Sequence, residues 1–294
     1  MKIGIIGAGA VGSIIAREFH KLPADKVELT LMAKSARDGF TILEQGVKTF
    51  HEIKVHKVSQ VTDKFDVLFI ATKTPALTAL KDTINSITHK DSEIIYALNG
   101  MGYDSIFDQG IPGVVYISGQ QHDDYIEHYV NQKIILPERQ FIYTDKLIEL
   151  IDNTESVNFE LLKSSEFNKM RYEKLLINVG INSMTALSKN TSKIFEDEKT
   201  VQLTKRLLTE SVAVVNLCNK DKVEIDEGFV DYAMNMYYSY PRDMGTSMYY
   251  DVMANKTTEF KYIQQYVHSM KQGYDVDTPV LDIVVTLLAA YEKN

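Results

Sequence analysis

Apolar residues come in two rhythms along this chain. In the first half, short apolar runs alternate with stretches of helical spacing. Lys2-Ile3-Gly4-Ile5-Ile6 ends in glycines, as a buried parallel strand does. Ser13–Lys21 then carries apolar residues at helical spacing, and Val27–Met32 is apolar and β-rich again. Val67–Ala71, Glu93–Tyr96 and Val114–Ile117 repeat the strand pattern, with predicted helical stretches at Leu77–Ile87 and Tyr103–Asp108. This alternation predicts a parallel sheet covered by helices on both faces. Between Ser118 and Glu160 the rhythm loosens. Tyr125–Val130 and Lys133–Leu136 read as a hairpin around Asn131-Gln132, and Val157–Leu161 as a closing strand.

From Phe167 onward the alternation stops and helical periods run to the end. Met170–Leu187, Val201–Asn219, Phe229–Ser239, Glu259–Lys271 and Pro279–Tyr291 are predicted helices, with Ser239–Asp251 as a joining segment. The expected organisation is an α/β domain over 1–166 followed by an all-helical domain over 167–294. A length of 294 residues fits that division, because single cores stop growing near this size. With 45% hydrophobic and 24% charged residues the chain reads as globular rather than disordered. No apolar run approaches the roughly 18–20 residues that span a bilayer, and the apolar start is too short for a secretory signal. A single cysteine, Cys218, excludes an internal disulfide, and the expected location is the cytoplasm. Cys218 itself reads as a small buried apolar residue. A net charge of −8 argues against a nucleic-acid partner. An anionic ligand would therefore need a local basic cluster.

Candidate chemistry begins at Gly7-Ala8-Gly9-Ala10-Val11-Gly12, a GxGxxG turn between predicted strand and helix. Gly7 allows the tight turn, Gly9 lets backbone N–H groups approach a pyrophosphate, and Gly12 allows close helix–strand packing. The helix N-terminus beyond adds a field that favours phosphates. No acid stands at the end of the second strand. Lys34, Ser35 and Arg37 stand there instead and can hold a 2′-phosphate, which points to NADPH; an ordinary solvated loop is the alternative. Two more loops leave strands at the ligand-binding edge, Ala71-Thr72-Lys73-Thr74-Pro75 and Ala97-Leu98-Asn99-Gly100-Met101-Gly102. Lys73 and Asn99 can face a ligand there, although turns also favour such residues. His122 follows a predicted strand and reads chiefly as a polar loop residue.

In the second half, Lys174, Asn178 and Asn182 recur at intervals of four, turning only about 40° per step around a helix. They form a polar stripe on an apolar helix, which calls for a polar partner element or a ligand-filled cleft. Gly180 lies on the opposite side and suggests close backbone packing. Ser247 and Asp251 are also four apart, and Thr258-Glu259 opens the next helix. The tyrosines at 237, 238, 240, 249 and 250 read as core or interface residues. No spacing of His, Cys, Asp and Glu suggests a structural metal.

Taken together, GAGAVG, the lysine of ATKT, LNGMG, KLLINVGINSMTAL, and SMYYD followed by TTEF resemble the ketopantoate reductases (2-dehydropantoate 2-reductases) over nearly the whole chain. The resemblance implies a Rossmann-type doubly wound domain followed by an all-α domain like the C-terminal domain of 6-phosphogluconate dehydrogenase. It implies NADPH-dependent reduction of 2-dehydropantoate to pantoate, on the route to coenzyme A. By the same resemblance Lys174 is the general acid, and Asn178, Asn182 and Ser247 hold the substrate's carboxylate or hydroxyl. Glu259 binds the substrate hydroxyl, while Lys73 and Asn99 orient substrate and nicotinamide, so that Asn99 and Glu259 serve both ligands. Gly7, Ala8, Gly9, Ala10, Val11, Gly12 and Lys34 bind the cofactor. Two departures are visible: Tyr172 stands where the family often has tryptophan, and Lys34 where it commonly has arginine. A reductase of another branched or hydroxylated 2-oxo acid, a silent NADPH-binding regulator, and a homodimer all remain open. The small-molecule partner expected is a 2-oxo acid, with neither nucleic acid nor membrane.

Overall fold

Strand follows strand through the first half of the chain in the order β1 (Lys2–Ile6), helix α1 (Ala10–Phe19), β2 (Glu28–Ala33), β3 (Phe40–Glu44), β4 (Val47–His51), β5 (Val55–Lys57) and β6 (Phe65–Ile70). Next come helix α2 (Leu77–Ser86), β7 (Thr88–Tyr96), β8 (Gly110–Pro112), β9 (Val114–Gln121), β10 (Ile126–Pro137), helix α3 (Thr144–Asp152) and β11 (Glu160–Ser164). The rest is helical: α4 (Phe167–Ser188), α5 (Glu198–Asn219), α6 (Phe229–Ser239), α7 (Ser247–Met253), α8 (Gln264–Met270) and α9 (Pro279–Tyr291). This is a computed structural model, and it describes residues 1–219 and 222–293. The chain divides into one unit of Met1–Leu98 and Tyr103–Phe167 and a second of Asn99–Gly102 and Asn168–Asn294.

In the first unit, six strands form an all-parallel sheet in the order β5-β2-β1-β6-β7-β8. The chain leaves β1 toward β2 on one side and resumes on the other at β6, so the strand order reverses between β1 and β6. Right-handed crossovers running in opposite directions put α1 and α2 on opposite faces. The crevice at the carboxyl ends of β1 and β6 is where such sheets bind ligands. The glycine turn and the Ala71–Pro75 loop leave those two strand ends.

A second sheet has the order β11-β10-β3-β4, with β9 antiparallel to β10. Helix α1 packs on β9 and β10 as well as on β1 and β2. One core accordingly joins Ile3, Ile5, Ile14, Ile15 and Phe19 to Ile126, Ile134 and Leu136.

Several sequence expectations change here. Val114–Ile117 is a strand, but it belongs to the second sheet. The hairpin around Asn131-Gln132 is one continuous strand, β10. Asn131 takes a left-handed φ of 62° and produces a bulge, with register shifts against β9 on either side of Val130. Tyr103–Asp108 is not helical; the buried rings of Tyr103 and Phe107 pack on Tyr96, whose hydroxyl accepts from the Phe107 amide at 3.2 Å. The closing strand begins at Glu160 rather than Val157. His122 is held beside its own turn by Glu127 at 3.1 Å and a stacked Tyr125.

The second unit is helical around its own core of Leu175, Leu176, Val179, Leu207, Leu208, Tyr237 and Leu281. Two expectations change. Glu259–Lys271 is a 3-10 turn over Phe260–Tyr262 and then α8, broken at Ile263. The joining segment contains α7, capped where the Thr246 hydroxyl accepts from the Tyr249 amide at 3.1 Å. Cys218 is half-buried, its thiol directed at the Met270 carbonyl. Among the described residues, no helix is long and apolar enough to cross a membrane.

Candidate active site

The glycine turn has a backbone only glycine supplies. Gly7 has φ +110°, and a Cβ there would lie 2.4 Å from the Ala71 carbonyl oxygen. A Cβ on Gly12 would lie 1.8 Å from the Gly7 oxygen, so helix and strand meet without room for a side chain. Gly9 differs, since its Cβ would meet nothing within 4 Å. It is the N-cap of α1 and has no side-chain capping bond, so the first-turn N–H groups of Ala10, Val11 and Gly12 are left for an outside acceptor. An open, uncapped helix N-terminus at a strand switch point is a place for an anion such as a pyrophosphate.

The loop after β2 adds basic residues to the first unit's candidates. Lys34 is exposed directly beyond the strand. Arg37 pairs with Val55 through its backbone, and its guanidinium donates to the Ala8 carbonyl at 2.6 Å; burial pushes its pKa down. Of the two strand-end basic residues, Arg37 thus braces the turn while Lys34 points outward. In the Ala71–Pro75 loop, Lys73 is exposed, and the buried Thr72 hydroxyl accepts or donates no hydrogen bond among the described residues.

A separate cluster is assembled within the second unit. Lys174 extends from α4 and donates to Asn99 Oδ1 at 3.3 Å. The Asn99–Gly102 loop is fixed beside it by the Met101 amide, which donates to the Tyr262 carbonyl at 2.8 Å. Gly100 and Gly102 both have positive φ, and a Cβ on Gly100 would strike the Tyr262 oxygen at 2.5 Å. The loop therefore clamps onto the 3-10 turn that Glu259 caps. Burial pushes the Lys174 ammonium down to about 7, and the charge of the largely buried Glu259 opposes that fall only in part. Such an amine shares its proton near neutral pH and can give it to a developing oxyanion.

Asn178 and Asn182 continue the stripe along α4. Asn182 is 4% exposed, and neither carboxamide forms a side-chain hydrogen bond among the described residues. A buried carboxamide at Asn182 and a half-buried one at Asn178, with donors and acceptors to spare, are suited to receive a polar ligand. Ser247 is exposed at the start of α7. The structure thus gathers Asn99, Lys174 and Glu259 around one ammonium and sets Asn178 and Asn182 on the same helix. Gly7–Gly12, Lys34 and Lys73 lie in the other unit. The brace from Arg37 to Ala8 and the clamp at Tyr262 were not anticipated; both are long-range contacts onto backbone carbonyls without a sequence motif.

A glycine-turn α/β unit joined to a helical unit with a desolvated lysine defines a class of two-part dinucleotide-binding proteins. Residues 3–139 match the family model described as Ketopantoate reductase PanE/ApbA, and residues 166–292 match its C-terminal model. The chain belongs to the ketopantoate reductase family. A solved structure of a dimeric ketopantoate reductase from Staphylococcus aureus is 31% identical, with a TM-score of 0.90 covering 100% of this chain and 99% of that one. A 2-dehydropantoate 2-reductase from Mycobacterium tuberculosis is 22% identical across 98% of this chain and 97% of its own length. A D-mandelate dehydrogenase solved with NADH and anilino(oxo)acetate shares the fold at 20% identity, with a TM-score of 0.83 covering 100% of this chain and 99% of that one.

Proposed function

We propose that this protein reduces 2-dehydropantoate to pantoate with NADPH, with Lys174 as the proton donor. The observation that carries the reading is the desolvated Lys174, whose pKa of about 7 suits a general acid at neutral pH. When bound, the reduced nicotinamide supplies hydride to the substrate's ketone carbon. Lys174 Nζ gives a proton to the oxygen of that carbon as negative charge grows on it. Asn99, hydrogen-bonded to the ammonium, holds it in one direction. The unpartnered carboxamides of Asn178 and Asn182, with the Ser247 hydroxyl, bind the substrate carboxylate or hydroxyl. Glu259 accepts from the substrate hydroxyl and keeps Lys174 from losing its proton altogether.

The cofactor fits the residues present. The open face of Gly9 and the uncapped N–H groups of Ala10, Val11 and Gly12 receive the pyrophosphate, within the turn from Gly7 through Ala8 to Gly12. Lys34 receives the 2′-phosphate and Arg37 stiffens the turn beside it; Lys73, Asn99 and Glu259 are assigned to the nicotinamide by the family resemblance alone. The dimeric state of the Staphylococcus aureus relative supports a homodimer here as well.

The fold-sharing D-mandelate dehydrogenase makes a different 2-oxo acid the second reading. NADPH oxidation should be followed with 2-dehydropantoate, straight-chain and branched 2-oxo acids, and the aryl 2-oxo acid corresponding to mandelate. The expected result is the highest kcat/KM with 2-dehydropantoate and a clear preference for NADPH over NADH. Faster turnover of another acid reassigns the substrate, equal use of NADH removes the role of Lys34, and no turnover with tight NADPH binding favours a regulator.

A further inference from the structure

Three elements that carry proposed substrate residues meet on one side chain outside the site. Gln264, fully buried at the start of α8, donates from Nε2 to the Ser183 hydroxyl at 3.0 Å and lies 3.6 Å from Met248 Sδ. Ser183 follows Asn182 on α4, Met248 follows Ser247 on α7, and Gln264 opens α8 directly after the turn that Glu259 begins. A parallel tie joins α4 to α7, because the Thr185 and Thr246 hydroxyls lie 2.8 Å apart and Thr246 caps the helix that Ser247 begins.

The Gln264 amide is only half used. Its Oε1 is buried and accepts no hydrogen bond among the described residues. An unsatisfied buried carbonyl is a net liability, and an apolar side chain of similar shape can replace it at little cost because the Ser183 hydroxyl keeps its own bond to the Val179 carbonyl at 2.5 Å. Methionine has that shape, and Met248 shows that a thioether already packs at this junction. The amide therefore stands where stability alone would not keep it.

We infer that Gln264 is a positioning residue for substrate, setting Asn182, Ser247 and Glu259 against one another through Ser183 and Met248. This rests on the reductase reading above. Small displacements of binding groups cost rate steeply, up to roughly a hundredfold per ångström. Because Gln264 is tied to the elements that hold substrate and not to the glycine turn, its loss should act on substrate more than on cofactor.

Gln264→Met should melt at the same temperature as the wild type or higher. The same variant should raise KM for the 2-oxo acid about tenfold while KM for NADPH stays within about twofold. Ser183→Ala should raise KM similarly, and the double variant no more than either single one, since both remove the same tie. A lower melting temperature with unchanged KM would make Gln264 a packing residue only and overturn the inference. Should the wild type reduce no 2-oxo acid, the reductase reading fails, and the side-chain amide resonances of Asn178 and Asn182 decide the placement separately. Their movement in Gln264→Met supports it, and unmoved resonances overturn it.

Discussion

A lysine withdrawn from water loses the ease with which it carries charge, and Lys174 shows the consequence: burial lowers it to about 7. Its helical stripe with Asn178 and Asn182 was legible because spacing of four is a local property of sequence. The partners were not equally legible. Asn99 was legible as a strand-end residue able to face a ligand, the role of Glu259 came from the family resemblance, and Gln264 came from neither source, since its contacts with Ser183 and Met248 form only when three helices pack. Gly180 was legible as a point of close approach, because glycine inside a helix is otherwise unfavourable. The structure supplies the partner, Tyr237, whose hydroxyl would lie 2.3 Å from an added Cβ and donates to the Ile177 carbonyl at 2.7 Å. Tyr237 is buried and stacked on Phe195, so it cannot swing aside. Gly180→Ala gains about 1 kcal/mol of helix propensity but overpacks the core at a cost of about 1–3 kcal/mol and strands the hydroxyl. Urea denaturation should show a net loss of about 1–2 kcal/mol. An unchanged midpoint would mean that the tyrosine yields freely.

At the scale of elements, the parallel strands and long helices followed from apolar rhythm, and the errors fell where long-range contacts decide. Asn131-Gln132 carries turn chemistry, yet β10 runs straight through it, because β3, β9 and β11 all pair with that strand and absorb Asn131 as a bulge. Helix α3 was missed for a related reason. No side chain of its own caps its first turn; Glu93 on β7 does so instead, accepting from the Ile142 amide at 2.5 Å, the Thr144 amide at 2.7 Å and the Thr144 hydroxyl at 2.6 Å. A carboxylate borrowed from another strand leaves no local signal. Glu93→Gln keeps the shape but replaces one acceptor oxygen by an amide NH2 that cannot accept from these donors, and should cost about 2 kcal/mol. Hydrogen exchange should quicken at residues 142–144, whereas wild-type exchange there would remove the capping role. The β3–β4 strands were also missed, being short and half-polar; Gln45 and Gly46, both at positive φ, turn one into the other.

At the scale of the whole molecule, division of labour explains how an acidic chain is suited to an anionic cofactor. With a net charge of −8, long-range attraction cannot gather a phosphorylated ligand, so the burden falls on a helix N-terminus and a few placed cations. In the proposed reading the first unit supplies those, and the second supplies an ammonium, two carboxamides and a carboxylate for a small polar substrate. Membership of the ketopantoate reductase family follows from both units being matched. The chemistry proposed for them depends on Lys174 acting as an acid. Protonated lysine is the active form for reduction, and its fraction falls as pH rises through about 7, so reduction should weaken on the alkaline side while the reverse oxidation gains. The most direct measurement is kcat/KM for NADPH-dependent reduction of 2-dehydropantoate from pH ~5.5 to ~9.5, for wild type and Lys174→Ala. A plateau on the acid side and about a tenfold fall per pH unit above a midpoint near 7 are expected. In the variant, activity should drop by about 10²–10⁴ and the alkaline limb should vanish. A variant that keeps wild-type turnover, or that loses turnover yet keeps the same limb, would show that Lys174 is not the acid.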